Sequence, residues 1–215
     1  MGKYNTVIFD LDGTLLNTIQ DLADSVNYAL RRFSFAERSV EEVNRFVGNG
    51  VRALMERAVP EGTPEETMLA CLKIFKRHYA DNMQNKTRPY EGILPLLEEL
   101  KRRGVKTAVV SNKFDLAVKA LCKEYFGDTI QTALGESGGV KGKPAPDNVF
   151  AALGALSAKK ENALYVGDSE VDVKTAENAG IPCVGVAWGF RGQKLLEECG
   201  AAYVIDRPQE LLKLL

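Results

Sequence analysis

The first apolar run, Tyr4 to Phe9, ends against charge: in "VIFDLDGTLL" Asp10 and Asp12 stand one residue apart immediately after it. A short apolar run bounded by turn residues predicts a buried strand. Beyond Leu16 the period becomes helical, with Ile19, Leu22, Ala23, Val26, Leu30 and Phe33 on one face behind a cap at Thr18. Ser39 with Glu42 forms a capping box for a second helix, whose apolar side is Val40, Val43, Phe46 and Val47. Gly48-Asn49-Gly50 breaks that helix, and Val51, Leu54, Met55 and Ala58 carry a third. Thr63-Pro64-Glu65-Glu66 combines cap, first-turn proline and capping-box glutamate for a fourth, with Met68, Leu72, Phe75 and Tyr79 along one face. Consecutive amphipathic helices bury such faces against each other or a neighbour, so residues 17–87 read as a helical bundle.

From Pro89 strands and helices alternate. The strand candidates are Val105 to Val110, Thr129 to Ala133, Ala163 to Val166, Pro182 to Ala187 and Ala202 to Ile205. Short apolar strands separated by amphipathic helices require crossovers, which predicts an α/β fold: a doubly wound, mainly parallel, Rossmann-like sheet covered on both faces. With Tyr4 to Phe9 the sheet has six strands. The core domain is then discontinuous, residues 1–16 and 88–215, with the helical bundle of residues 17–87 inserted after the first strand.

Composition narrows the partners. The chain has 215 residues, 45% of them hydrophobic, enough for one substantial core and a smaller accessory domain. Twenty-eight basic and 29 acidic residues leave a net charge of -1, which gives no footprint for nucleic acid or an anionic membrane. A small-molecule partner is expected. No apolar run reaches the roughly 20 residues of a membrane span, and the start of the chain enters a strand without signal-peptide regions, so a cytoplasmic location is expected. Gly2 and Thr6 do fit an acylation pattern, but a buried first strand argues against anchoring. Cys71, Cys122, Cys183 and Cys199 are widely spaced with no C-x-x-C pair, which suits reduced structural thiols.

In an open parallel sheet, ligands bind beyond the carboxyl ends of the strands. Three predicted strands end in polar residues: Asp10-Leu11-Asp12-Gly13-Thr14, Ser111-Asn112-Lys113, and Gly167-Asp168-Ser169 with Asp172 four residues after Asp168. The loop "GESGGVKGKPAPD" can bring Lys143 to the same edge. Hard oxygen ligands suit Mg2+, and the candidate metal ligands are Asp10, Asp12, Asp168 and Asp172, the last expected to hold metal-bound water. A metal also relieves the repulsion between neighbouring carboxylates. Asp10 can attack phosphorus as a carboxylate nucleophile, and Asp12 can protonate the leaving oxygen and then deprotonate water. Ser111, Asn112, Lys143 and the backbone at Gly13 are the candidate phosphate-binding groups, with Lys143 also supplying charge in catalysis.

At these residues the chain resembles the phosphatase branch of the haloacid dehalogenase superfamily. "DLDGT" matches the first motif, Ser111 the second, Lys143 in "GKPAPD" the third and "GDSEVD" the acidic fourth, in the right order. The resemblance covers nearly the whole chain, since that family inserts a helical cap where residues 17–87 stand. "FVGNGVRALMERAV", "TRPYEGI" and "VSNK" look like the phosphoglycolate phosphatase group, and Asp12 favours phosphoryl transfer over dehalogenation. The resemblance implies a small phosphorylated substrate, most plausibly 2-phosphoglycolate, a Mg2+ cofactor and an aspartyl phosphate; a monomer or homodimer is expected, a choice spacing alone leaves open. Rival readings are a pyrophosphatase, a broad sugar-phosphate phosphatase, a phosphoglucomutase-like enzyme and a non-catalytic binding protein. Gly48 to Gly50 and Arg52 are candidates to enter the site on cap closure. Asn17 departs from the aspartate common at that position in relatives.

Competing motifs fail on spacing or context. Counted from Asp10 as a calcium loop, the sixth position is Leu15 and the twelfth Asp21, where glycine and glutamate are needed. Gly48-Asn49-Gly50-Val51-Arg52-Ala53 fits a dinucleotide fingerprint but follows a helix, and "KGKPA" lacks the glycine and hydroxyl of a phosphate loop. His78 reads as structural or exposed, and Trp188, Phe190 and Arg191 receive no role.

Overall fold

The computed structural model describes residues 3–215, so Gly2 lies outside the described residues. The chain divides into two compact units: residues 3–16 with 89–215, and Asn17–Arg88. The first unit holds a six-stranded sheet in the order β5-β4-β1-β6-β7-β8. Its strands are β1 (Thr6–Phe9), β4 (Lys106–Phe114), β5 (Thr132–Glu136), β6 (Ala163–Gly167), β7 (Cys183–Val186) and β8 (Tyr203–Ile205). All pairings are parallel, with Ile8 opposite Ala108 on one side and Tyr165 on the other.

β1 is wholly buried because it is central. Ile8, Ala108, Val110, Tyr165 and Cys183 pack on one face against Val149, Ala152, Val173, Ala176 and Leu196. These come from α7 (Asp147–Ala155), α8 (Glu170–Ala179) and α9 (Gln193–Glu198). Strand alternation turns Val7, Phe9 and Val109 to the opposite face, where α5 (Ile93–Arg102) and α6 (Asp115–Phe126) contact β4. Burying a side chain such as Phe9 contributes about 2 kcal/mol, so this core holds the carboxyl end of β1 stiffly.

The strand order reverses at β1. The chain builds β4 and β5 outward on one side of it, then returns to β6, β7 and β8 on the other. A crevice opens at such a switch point, at the carboxyl ends of β4, β1 and β6.

The second unit packs α1 (Ile19–Arg31), α2 (Val40–Phe46), α3 (Gly50–Ala58) and α4 (Glu65–Asn82), with contacts from α1 to α2 and α4 and from α3 to α2 and α4. Leu22, Val26 and Leu30 of α1 are buried, as are Met68, Leu72, Phe75 and Tyr79 of α4. In α2 only Val43 is buried, and Phe46 and Val47 stay half-buried. Buried Asp21 accepts hydrogen bonds from the Lys86 and Thr87 amides and the Thr87 hydroxyl, tying the end of this unit back to its first helix. His78 stacks on Tyr28 and contacts the Ser25 hydroxyl at 3.0 Å. The chain leaves and re-enters the α/β unit through two-residue strands, β2 (Leu16–Asn17) and β3 (Arg88–Pro89). Among the described residues no helix is long and apolar enough to cross a membrane.

Several local expectations need correction. The Ser39–Glu42 capping box is present, but Thr18 makes no side-chain cap, and Pro64 occupies the N-cap of α4 while the Thr63 hydroxyl donates to Pro60 O. The strand expected at 129–133 begins at Thr132. The Thr129 hydroxyl donates to Phe126 O and closes a 3-10 turn over Gly127–Thr129, which delays pairing with β4. β4, expected to stop at Val110, continues to Phe114 through a register shift between Val110 and Phe114. Such a bulge re-aims side chains.

Candidate active site

Three carboxylates meet at the switch point. Asp10, Asp168 and Asp172 each offer an oxygen within 4.8 Å of the others, and all three are buried. Asp10 follows β1 directly, its amide still donating to Val166 O of β6 at 2.8 Å. Asp168 follows β6, and Asp172 lies in the first turn of α8, where it closes a capping box with Ser169.

Lys143 stands among them. Its Nζ is 2.7 Å from Asp10 Oδ1 and donates to Asp172 Oδ1 at 2.7 Å. The approach to Asp10 is a buried ion pair, and among the described residues no well-aligned hydrogen-bond donor meets Asp10 Oδ1. The Asn112 side chain sets the lysine's position: its Oδ1 accepts from the Lys143 amide at 2.7 Å and its Nδ2 donates to Lys143 O at 3.0 Å. Asn112, expected among the phosphate-binding groups, thus clamps the backbone of Lys143.

The carboxylates have unequal surroundings. Asp172 Oδ1 accepts from Lys143 and from the Tyr165 hydroxyl at 3.1 Å, and its Oδ2 accepts from the Ser169 amide and hydroxyl. With both oxygens engaged by protein donors, Asp172 anchors Lys143 more than it presents a ligand. Asp168 accepts from Thr14 Oγ1 at 3.3 Å on one oxygen and from the Phe190 amide at 2.7 Å on the other, so each keeps a further acceptor site. Gly13, with φ of +87°, carries the backbone past Asp168 where any Cβ would overlap that carboxylate. Gly189 is needed on the other side, because a Cβ there would meet Asp168 and Gly13 O, and Trp188 Nε1 donates to Thr14 O at 3.0 Å. The loop after β7, assigned nothing from sequence, is therefore part of the wall.

Asp12, expected among the metal ligands, lies outside the group that Asp10, Asp168 and Asp172 form. The tight loop Leu11–Leu16, with Leu11 O accepting from the Leu15 and Leu16 amides, directs its carboxylate elsewhere. Lys113 Nζ donates to both of its oxygens, at 2.7 and 2.8 Å. Ser111 is buried two residues beyond Val109, the partner of Phe9, and its Oγ accepts from the Lys113 amide at 3.3 Å.

Burial dominates the electrostatics. It pushes the Asp10 carboxyl up from 3.8 to about 7, opposed by the Lys143 ammonium and reinforced by the Asp172 and Asp12 charges. Burial likewise raises Asp168 well above its usual value, with Asp172 and Asp10 adding to the effect. For Lys143 burial favours the neutral amine, but the Asp10 and Asp172 carboxylates outweigh it and hold the ammonium well above 10.5. Four carboxylates, Asp10, Asp12, Asp168 and Asp172, face two lysines, Lys113 and Lys143. A formal excess of two negative charges and hard carboxylate oxygens of Asp10, Asp168 and Asp172 within 4.8 Å of one another fit a divalent cation of the Mg2+ type.

Sequence reasoning named Thr14 and Lys113 at strand ends without giving either a role, and missed Tyr165. Lys113 repeats at the strand period from Ser111, and Tyr165 is the one residue with a polar tip in "ALYV".

A parallel α/β sheet with a buried Asp-Lys centre at its switch point defines the class as a doubly wound α/β protein with a charged site where such sheets bind ligands. The chain belongs to the haloacid dehalogenase-like hydrolases: residues 7–186 match that family's model. It is 33% identical over 214 residues to a phosphoglycolate phosphatase of Aquifex aeolicus, spanning 97% of this chain and 95% of that one. It is also 31% identical to the pyrophosphatase PpaX of Bacillus mycoides, over 99% and 97% of the two chains. A crystal structure from Lactobacillus delbrueckii subsp. bulgaricus superposes with a TM-score of 0.93 at 35% identity, covering 99% of both chains.

Proposed function

We propose that this protein is a phosphatase for a small phosphorylated metabolite, with 2-phosphoglycolate as the preferred candidate, acting through a phosphoryl group carried on Asp10. The observation that carries this reading is the buried Asp10 carboxylate paired with the Lys143 ammonium at 2.7 Å, next to Asp168. Asp10 and Asp168 would hold a divalent cation, which when bound supplies charge compensation for the transferring phosphoryl group.

The residues then divide the work. In the first step an Asp10 oxygen forms a bond to phosphorus, the bond from phosphorus to the substrate oxygen breaks, and protonated Asp12 gives that oxygen its proton. In the second, Asp12 as carboxylate takes a proton from water, the water oxygen bonds to phosphorus, and the Asp10 oxygen leaves as a carboxylate. Lys143 and Ser111 match the charge on the phosphoryl oxygens. We assign this chemistry to the α/β core, residues 1–16 and 88–215, and selection of the rest of the substrate to the inserted helical unit, residues 17–87. Arg52 of that unit is held by Glu56 and Glu65 at 2.7 Å each, so any contact it makes to substrate requires exchange of those pairs.

A turnover screen of phosphoglycolate, pyrophosphate, sugar phosphates and nucleotides at equal concentration tests the substrate. Phosphoglycolate is expected to give the highest kcat/KM. Pyrophosphate is the second reading, favoured by the 31% identity to PpaX, and phosphoglycolate ranking among the poorest substrates would overturn the first.

The cation can be tested without turnover. The Asp10 carboxyl is raised in the fold, from 3.8 to about 7. Its contribution to metal-free stability is therefore present below pH 3.8 and lost as pH rises through about 7. A cation that binds the ionised form reverses this loss. Thermal unfolding with and without Mg2+ should show a small shift at pH 5 that grows toward pH 8. A shift independent of pH would remove Asp10 from the cation site.

A further inference from the structure

We propose that Lys113 is the residue that orients Asp12 for proton transfer, a positioning residue that touches neither the phosphoryl group nor the cation. The inference rests on the phosphatase reading above and extends it to a side chain no motif assigns. Lys113 is 4% exposed, and its Nζ donates to both Asp12 oxygens, 2.7 and 2.8 Å away. A buried ammonium needs compensation, and Asp12 supplies it. The pairing fixes the plane of the carboxylate and separates its charge from Asp10, two residues earlier in the chain.

Local structure explains why a residue beyond the apolar part of β4 can reach Asp12. Val110 pairs with Leu134 and Phe114 with Glu136, so four steps along β4 match two along β5. The extra residues form a bulge that contains Lys113. Ser111 and Lys113 are both buried, while Asn112 between them turns to the backbone of Lys143. One irregular segment thereby positions both lysines of the site, Lys113 through its side chain and Lys143 through Asn112.

The chemical consequence depends on the leaving group. When Asp12 gives its proton to an alkoxide leaving oxygen, Lys113 holds the carboxylate that remains, in the orientation needed to accept a proton from water next. An aryl phosphate with an acidic phenol needs no proton on departure. Loss of Lys113 should therefore slow phosphoryl transfer from an alkyl ester far more than transfer from p-nitrophenyl phosphate.

The test is a double-mutant cycle with K113M, D12N and the pair, read as the rate of phosphoenzyme formation from p-nitrophenyl phosphate and from phosphoglycolate. K113M is expected to lose about 10²-fold on phosphoglycolate and only a few fold on the aryl ester, at nearly unchanged KM. Added to D12N, K113M should cost nothing more on either ester, and K113R should recover part of the alkyl-ester rate. The double variant, with both charges of the pair gone, keeps the cycle readable if K113M alone is unstable. Equal losses on both esters, or a further loss on the D12N background, would overturn the role. Absence of an acid-stable, base-labile phosphoenzyme in the unmutated protein would instead sink the phosphatase mechanism on which it rests.

Discussion

Asp10→Asn should abolish turnover, by roughly 10⁴-fold or more, and eliminate the phosphoenzyme together with it. The amide is nearly isosteric but cannot form the acyl phosphate. The fold gives a second, opposite expectation for stability. Burial raises the Asp10 carboxyl to about 7, so at pH 8 the metal-free protein carries a carboxylate it would hold more cheaply as a neutral group. Asn removes that charge, while Lys143 keeps Asp172 as a partner at 2.7 Å. The variant should therefore unfold at the same temperature as the parent or above it when metal is absent, and its response to Mg2+ should shrink. Rapid acid quench with labelled substrate reads the phosphoenzyme, and calorimetry reads the stability. Retained activity in a well-folded Asp10→Asn protein would remove Asp10 as nucleophile.

What could be read from the sequence divides by how each residue is placed. Asp10 and Asp168 sit directly after strands that are unbroken apolar runs, so predicting the strand also predicts the position of the carboxylate. The six-stranded parallel sheet follows from the same runs. Asp12 looks equivalent to Asp10 in the sequence, yet it lies past the end of β1 in a loop whose turn is set by Gly13, and its partner is 101 residues away. Chain proximity said nothing about that partner. Lys113 was named but given no role, because β4 continues as a strand after its apolar residues end, through a bulge that polar sequence does not announce. The loop after β7 was silent for another reason. It acts through the Phe190 amide and the absence of a side chain at Gly189, neither of which is a chemical signature.

Lys143 tests whether the site works as one electrostatic unit. Lys143→Met keeps the length of the side chain and removes its charge, and three consequences are expected. Asp10 loses the cation that opposes its rise, so its carboxyl should move further above about 7 in the metal-free protein. Asp172, fully buried, loses one of its donors but retains Tyr165 and Ser169, which should let the chain fold with a lower thermal midpoint. In the proposed mechanism the phosphoryl group loses a compensating charge, which should lower kcat by about 10²–10³-fold. Lys143→Arg should not repair the loss. The ammonium fits between two carboxylates 2.7 Å away on a backbone clamped by Asn112, and a planar guanidinium needs more room than that buried gap offers. Steady-state kinetics with a saturating phosphate ester decides the matter, since a near-normal kcat in Lys143→Met would mean that the lysine serves only to neutralise Asp172. A large fall in kcat with intact folding ties the rate to the ammonium, and Asn112→Ala should then reproduce a milder form of the same defect by loosening the backbone that carries it.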